Sequence, residues 1–216
     1  MHNYKLIIFD WDGTLMDSVA RIVSSMQASA RIINMEVPTF EQAKQIIGLS
    51  LPKAIPILFP NCTNEQEILL VEQYKHHYVE INTTPTPMFA NALNLLSELK
   101  ENNKLLAVAT GKARAGLQRV WHASGTEHFF HASRCADESL SKPNPDMINS
   151  LLAELDIKAH EAVMIGDTSY DMEMAQRAGV DRIGVTFGVH DQLVLSQHQP
   201  MAIVDSLVDL QRLLIK

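Results

Sequence analysis

"IIFDWDGTLMDS", residues 7–18, sets three carboxylates, Asp10, Asp12 and Asp17, directly after an oily run. The run, KLIIF at 5–9, reads as a short strand buried on both faces, the pattern of a parallel sheet. Like charges crowded at the end of such a strand repel, and resist joint ionisation unless something positive lies between them. The stretch is therefore either an acidic turn in water or a site built around a cation.

Downstream of Asp17 the period changes from strand to helix. Val19, Ile22, Val23, Met26, Ala30 and Ile33 fall on one helical face, with Asp17 or Ser18 as the expected N-cap. Thr39 with Gln42 reads as a capping box for a helix to about residue 48. A short helix within 50–59 carries Pro52 in its first turn and is limited by Pro56. Thr63 with Gln66 opens a longer helix bearing Leu69, Leu70, Tyr74 and Tyr78. "INTTPTPMF", 81–89, has no period and reads as a hinge.

Beyond the hinge, helices and strands alternate. Helices are expected over 88–102, 112–124, 145–155, 169–178 and 206–214. Strands are expected over 104–110, near 129–133, over 162–167 and 182–186, and near 202–204. Alternation of this kind builds βαβ units and a parallel sheet covered by helices. The first strand cannot pair alone, so 1–16 must join 84–216. The fold class is α/β, with a Rossmann-like parallel-sheet core of 1–16 and 84–216 and an inserted all-α cap domain over 17–83.

Composition narrows the function. The 216 residues are 46% hydrophobic and 20% charged, with a formal net charge of -7 and no run of Lys or Arg. Such a field repels nucleic acid phosphates and anionic membranes, so neither is an expected partner. Cys62 and Cys135 stand far apart with no CxxC, which suits a reducing compartment. The N-terminal apolar run is too short for a signal peptide, and none approaches the ~20 residues of a membrane span. The expectation is a cytoplasmic protein, monomeric or a small homo-oligomer. The histidines form no HExxH or His/Cys ligand pattern, so no zinc site is expected.

In an open parallel sheet, ligands bind outside the carboxyl ends of the strands. Those ends carry Asp10 and Asp12, then Thr110-Gly111-Lys112, then Gly166-Asp167-Thr168 with Asp171 one turn on. Lys142, in "SKPNPD", stands just before a helix. Any one of these is commonplace; their convergence on one rim from separate segments is not.

"DWDGTLMDS", "ATGK", "KPNPD" and "GDTSYDM" resemble the four ordered motifs of the haloacid dehalogenase superfamily. The helical insertion after the first motif is similar to that of its phosphoglycolate-phosphatase-like branch, and the resemblance covers essentially the whole chain. It implies a Mg²⁺-dependent phosphatase acting on a small phosphorylated metabolite. Asp10 would be the nucleophile and form an aspartyl-phosphate, splitting one difficult step into two. Asp12 would protonate the leaving alkoxide and then deprotonate water. Mg²⁺, a hard ion, would take oxygens from Asp10, Asp167 and the Asp12 carbonyl, with Asp171 behind it or holding Lys142. Gly13, Thr110, Gly111 and Lys142 would bind the phosphoryl group, Gly13 through the N–H groups of a tight turn.

Some assignments stay open at the level of sequence. Trp11 is expected to turn away from its acidic neighbours, because strand side chains alternate. Lys112 could serve the phosphate or not. Asp17 and Ser18 match the first motif, but capping of the first inserted helix explains them as well. "IGLSLPKAI" resembles a cap specificity loop, making Gly48, Ser50 and Lys53 substrate-binding candidates. His190 reads as a loop histidine, and Met164, Met172 and Met174 as packing residues. Phosphoglycolate is the leading substrate, with pyrophosphate, sugar phosphates and nucleotides behind it. A phosphosugar mutase shares all four motifs; a receiver-type signalling module is opposed by the insertion and by Asp12.

Overall fold

A computed structural model describes residues 4–215, so positions 1–3 and 216 of the expected core segments lie outside the described residues. The chain begins with β1 (Leu6–Phe9), whose four residues are all buried. Burial on both faces is explicit: Ile7 and Phe9 join one apolar cluster with Leu95, Leu96 and Trp121, while Leu6 and Ile8 join another with Ile148 and Leu151. The continuous apolar run is thus two alternating faces, each covered by helices.

Four helices follow before any other strand: α1 (Val19–Ile32), α2 (Phe40–Gln45), α3 (Leu51–Leu58) and α4 (Asn64–His76), the last extended by a π-helical turn, His77–Ile81. Both expected capping boxes form, Thr39 with Gln42 and Thr63 with Gln66. Pro52 sits in the first turn of α3, and Pro56 lies inside it, two residues before its end. These helices bury their apolar faces against one another, as in the cluster of Met26, Ala30, Ile55, Phe59 and Leu70. A second cluster, Ile22, Val23, Ala43 and Ile47, includes Val189 from the sheet side.

The outgoing and returning chains run side by side. Met16 bridges Met88, the Asp17 N–H donates to the Pro87 carbonyl at 2.8 Å, and the Phe89 N–H donates to Leu15. The remaining elements are α5 (Ala92–Glu101), β2 (Leu105–Ala109), α6 (Arg114–Ser124), β3 (Ala132–Arg134), α7 (Asp146–Glu154), β4 (Ala162–Gly166), α8 (Ser169–Arg177), β5 (Asp181–Val185), α9 (Gln192–Ser196), β6 (Ala202–Val204) and α10 (Leu207–Leu214). The short α9 was not expected from sequence; its start is the Asp191 side chain accepting from the Val194 N–H.

All pairings are parallel, in the order β3-β2-β1-β4-β5-β6. The chain winds outward from β1 in one direction, then returns to pair β4 on its other side. That reversal opens a crevice between the carboxyl ends of β1 and β4. No described helix is long and apolar enough to cross a membrane.

Candidate active site

The crevice is where the acidic residues meet. Asp10 follows β1 and Asp167 follows β4, strands in direct register through Phe9 and Ile165. Asp171 comes from the first turn of α8, and Lys142 reaches in from the loop before α7. Asp10, Asp167, Asp171 and Lys142 are all buried. The Lys142 ammonium lies 2.8 Å from Asp10 Oδ1 and 2.7 Å from Asp171 Oδ1, so one cation bridges two carboxylates.

The supports of these carboxylates differ. Asp171 Oδ2 accepts from the Thr168 hydroxyl at 2.6 Å and the Thr168 N–H at 3.1 Å. Asp167 accepts from the Thr14 hydroxyl on Oδ1 and the Val189 N–H on Oδ2, each at 2.8 Å. Asp10 is the exception: neither oxygen receives a directed hydrogen bond, although Lys142 is close. A buried carboxylate left this way is costly unless another cation completes it.

Electrostatics agree. Burial drives the Asp10 carboxyl well above its ordinary range, against the pull of Lys142. Burial, then the Asp171 charge, pushes Asp167 up to about 7. Burial alone would depress Lys142, but Asp10 and Asp171 outweigh it and hold the ammonium charged. Four carboxyl groups, Asp10, Asp12, Asp167 and Asp171, face only two ammonium groups, Lys112 and Lys142, and burial resists the ionisation of Asp10 and Asp167 in the absence of a further cation. Oxygens of Asp10, Asp167 and Asp171 lie within 4.8 Å of one another, close enough to hold a metal ion. A hard divalent cation with oxygen ligands, Mg²⁺ above all, fits both the donor set and the charge. The Asp12 carboxylate stands outside that trio.

Asp12 belongs to the neighbouring cavity instead. Its Oδ1 accepts from Ser18 and lies 2.9 Å from the Lys112 ammonium, which in turn sits 5.3 Å from the centre of the Tyr78 ring. Lys112, left open by sequence, is thus the counter-ion of Asp12. Ser18 corrects the capping expectation: it stands at the N-cap of α1, yet its side chain makes no capping bond and turns to Asp12. Asp17 is exposed. Trp11 turns away into the apolar core as expected.

Gly13 also needs correction. Its N–H is spent on the Met16 carbonyl at 2.9 Å, so it is not offered to a phosphate. Its role is close approach: with φ +80°, a Cβ there would collide with the Asp167 carboxylate. Thr110 and Gly111 line the cavity beside Asp10, and Ser50 reaches it from the start of α3. Ser50 also donates its N–H to the Ser141 hydroxyl at 3.0 Å, next to Lys142. Lys53 is not brought to the site: it is exposed on α3 and absent from the cavity wall. His190 is buried rather than a solvated loop residue. Its Nδ1 accepts from the Ser169 N–H, which leaves Nε2 to donate to Gln45 Oε1 at 3.0 Å.

Sequence reasoning missed Thr14, Ser18, Thr168 and Val189 as supports. Thr168 was legible, since Thr-x-x-Asp is a capping signature. Val189 supplies only a backbone N–H, which leaves no mark on residue choice.

A family model described as "Haloacid dehalogenase-like hydrolase" matches residues 7–185. The chain is 34% identical over 205 residues to "Probable phosphatase IndB" of Dickeya dadantii, covering 93% of this chain and 89% of that protein. It is 27% identical over 222 residues to a phosphoglycolate phosphatase of Mannheimia succiniciproducens, covering 97% and 98%. The crystal structure of a predicted phosphatase from Clostridium acetobutylicum superposes with a TM-score of 0.88 at 26% identity, covering 98% of each chain.

Proposed function

Because the chain belongs to the haloacid dehalogenase-like hydrolases and is a phosphatase of that family, we propose that it hydrolyses phosphomonoesters through an aspartyl-phosphate on Asp10 with Mg²⁺ as cofactor. The observation that carries this is Asp10 itself: a buried carboxylate, free of directed hydrogen bonds, beside Lys142 and opening onto a cavity shared with Asp12 and Thr110.

Asp10 attacks phosphorus, the P–O bond to the alcohol breaks, and Asp12 gives its proton to the departing oxygen. Asp12 then takes a proton from water as that water attacks phosphorus, releasing inorganic phosphate and restoring Asp10. Ser18 and Lys112 hold Asp12 by Oδ1, leaving Oδ2 for the travelling proton. The Gly111 N–H and the Thr110 hydroxyl orient the phosphoryl oxygens, and Lys142 neutralises them. Asp10 and Asp167 would hold Mg²⁺, with Asp171 fixing Lys142 behind them; the ion supplies charge screening between two anions. We take residues 17–83 as a cap domain that excludes water from the closed site.

Phosphoglycolate, the substrate in the names of several relatives, is the first ester to try. The test is release of phosphate from p-nitrophenyl phosphate, with and without EDTA. Turnover should vanish on chelation and return with Mg²⁺. Undiminished turnover in EDTA would remove the metal from the scheme, and near-normal turnover by Asp10→Asn would remove the nucleophile.

A further inference from the structure

A phosphoryl group needs only the rim, yet the cavity beside it is far larger. It has a volume of about 540 Å³ and runs from Asp10 and Asp12 into the helical segment. That matches pockets for drug-sized ligands. A two-carbon ester such as phosphoglycolate has nine non-hydrogen atoms. Even granted a liquid water's share of ~30 Å³ apiece, they would take up only about half of this space.

The wall is as informative as the volume. The helical side is built from Ile22, Met26, Ile47, Val71, Tyr74 and Tyr78, which present hydrocarbon and two phenol rings. The Tyr74 and Tyr78 rings lie 5.8 Å apart, tilted by 36°. The Tyr74 hydroxyl has no hydrogen-bond partner among the described residues. Burial pushes its ionisation well above the ordinary range, so it stays a neutral donor. Lys75, Lys112 and Arg119 also border the cavity, but Lys112 is paired with Asp12, the other two are exposed, and Lys53 is elsewhere. No buried cation of the helical segment, among the described residues, waits for a substrate carboxylate.

We propose that the substrate is the phosphomonoester of a bulky, mainly apolar alcohol carrying an aromatic ring, seated against Tyr74 and Tyr78. An acceptor atom on that alcohol would take the Tyr74 hydroxyl proton as a hydrogen bond. This rests on the phosphatase function proposed above and leaves its bond changes untouched; only the departing alcohol is specified. Taking apolar surface out of water against Ile22, Met26, Ile47 and Val71 favours the apolar group, whereas a carboxylate seated against those side chains would lose hydration that they cannot replace.

The test compares kcat/KM for benzyl phosphate, ethyl phosphate and phosphoglycolate with Mg²⁺. All three release an alkoxide, so the reactivity of the leaving oxygen does not rank them. Benzyl phosphate should exceed ethyl phosphate by about tenfold or more, as extra hydrocarbon in an apolar pocket does. Tyr74→Ala should lower the benzyl-to-ethyl ratio, while Tyr74→Phe, which keeps the ring, should retain it. Phosphoglycolate outpacing benzyl phosphate, or a benzyl-to-ethyl ratio near one in the wild type, overturns the assignment while the phosphatase function stands. Failure to hydrolyse any phosphomonoester, p-nitrophenyl phosphate included, overturns both.

Discussion

Asp10 is buried with the Lys142 ammonium 2.8 Å away and no directed hydrogen bond to either oxygen, surroundings that fit the reactive role proposed for it. Asp10→Asn should lower kcat by about four orders of magnitude or more, as loss of a covalent nucleophile does. The same change removes a carboxyl whose ionisation burial disfavours. In EDTA its melting temperature should therefore equal or exceed that of the wild type, by thermal denaturation. Ser18→Ala tests the hold on Asp12: kcat should fall between about tenfold and a hundredfold with little change in KM, since geometry rather than binding is lost. The carboxylates and Lys142 were legible in sequence because the chemistry we propose needs those side chains. Ser18 was misread because a serine before a helix has an ordinary capping use, and only its distance to Asp12 decides otherwise.

Elements carry the next level. The loop before α3 packs on the β2 end so closely that a Cβ on Gly111 would lie 2.6 Å from the Gly48 carbonyl oxygen and 2.8 Å from that of Leu49. Gly111→Ala should push this loop off the rim and lower kcat/KM by about tenfold or more, with the far-ultraviolet circular dichroism unchanged. A second tie is His190, linking the start of α8 to Gln45 at the end of α2. Burial lowers its pKa below the ordinary 6.5. The unfolded chain therefore binds this proton more readily than the folded one. Stability from His190 is present above 6.5 and is lost as pH falls from there through the depressed folded value. Melting temperature against pH should slope more steeply below 6.5 for the wild type than for His190→Ala. Capping boxes at Thr39 and Thr63 were readable because they are local. The His190 tie was not, because its partner is 145 residues away.

At the scale of the molecule, the helical segment buries its apolar faces mainly within itself, and its two connections lie side by side at Met16 and Met88. Joining residue 17 to residue 86 through a short Gly/Ser linker should leave a sheet that still unfolds cooperatively in urea. It should abolish kcat/KM for phosphomonoesters, because half the cavity wall is gone. Persistence of near-normal turnover would remove the helical segment from catalysis.

Sequence alone determined the alternation of strands and helices, the interruption after the first strand, and the acids and lysine of the rim. Each of these rests on local periodicity or on residue types that a reaction demands. Tertiary structure decided the rest: which Asp oxygens are left without directed hydrogen bonds, that Ser18 and Lys112 hold Asp12, that Lys53 lies away from the cavity, and that a largely apolar chamber opens beside the acidic rim. Those are consequences of packing between residues far apart in the chain, and neither periodicity nor spacing encodes the shape of the gap that packing leaves.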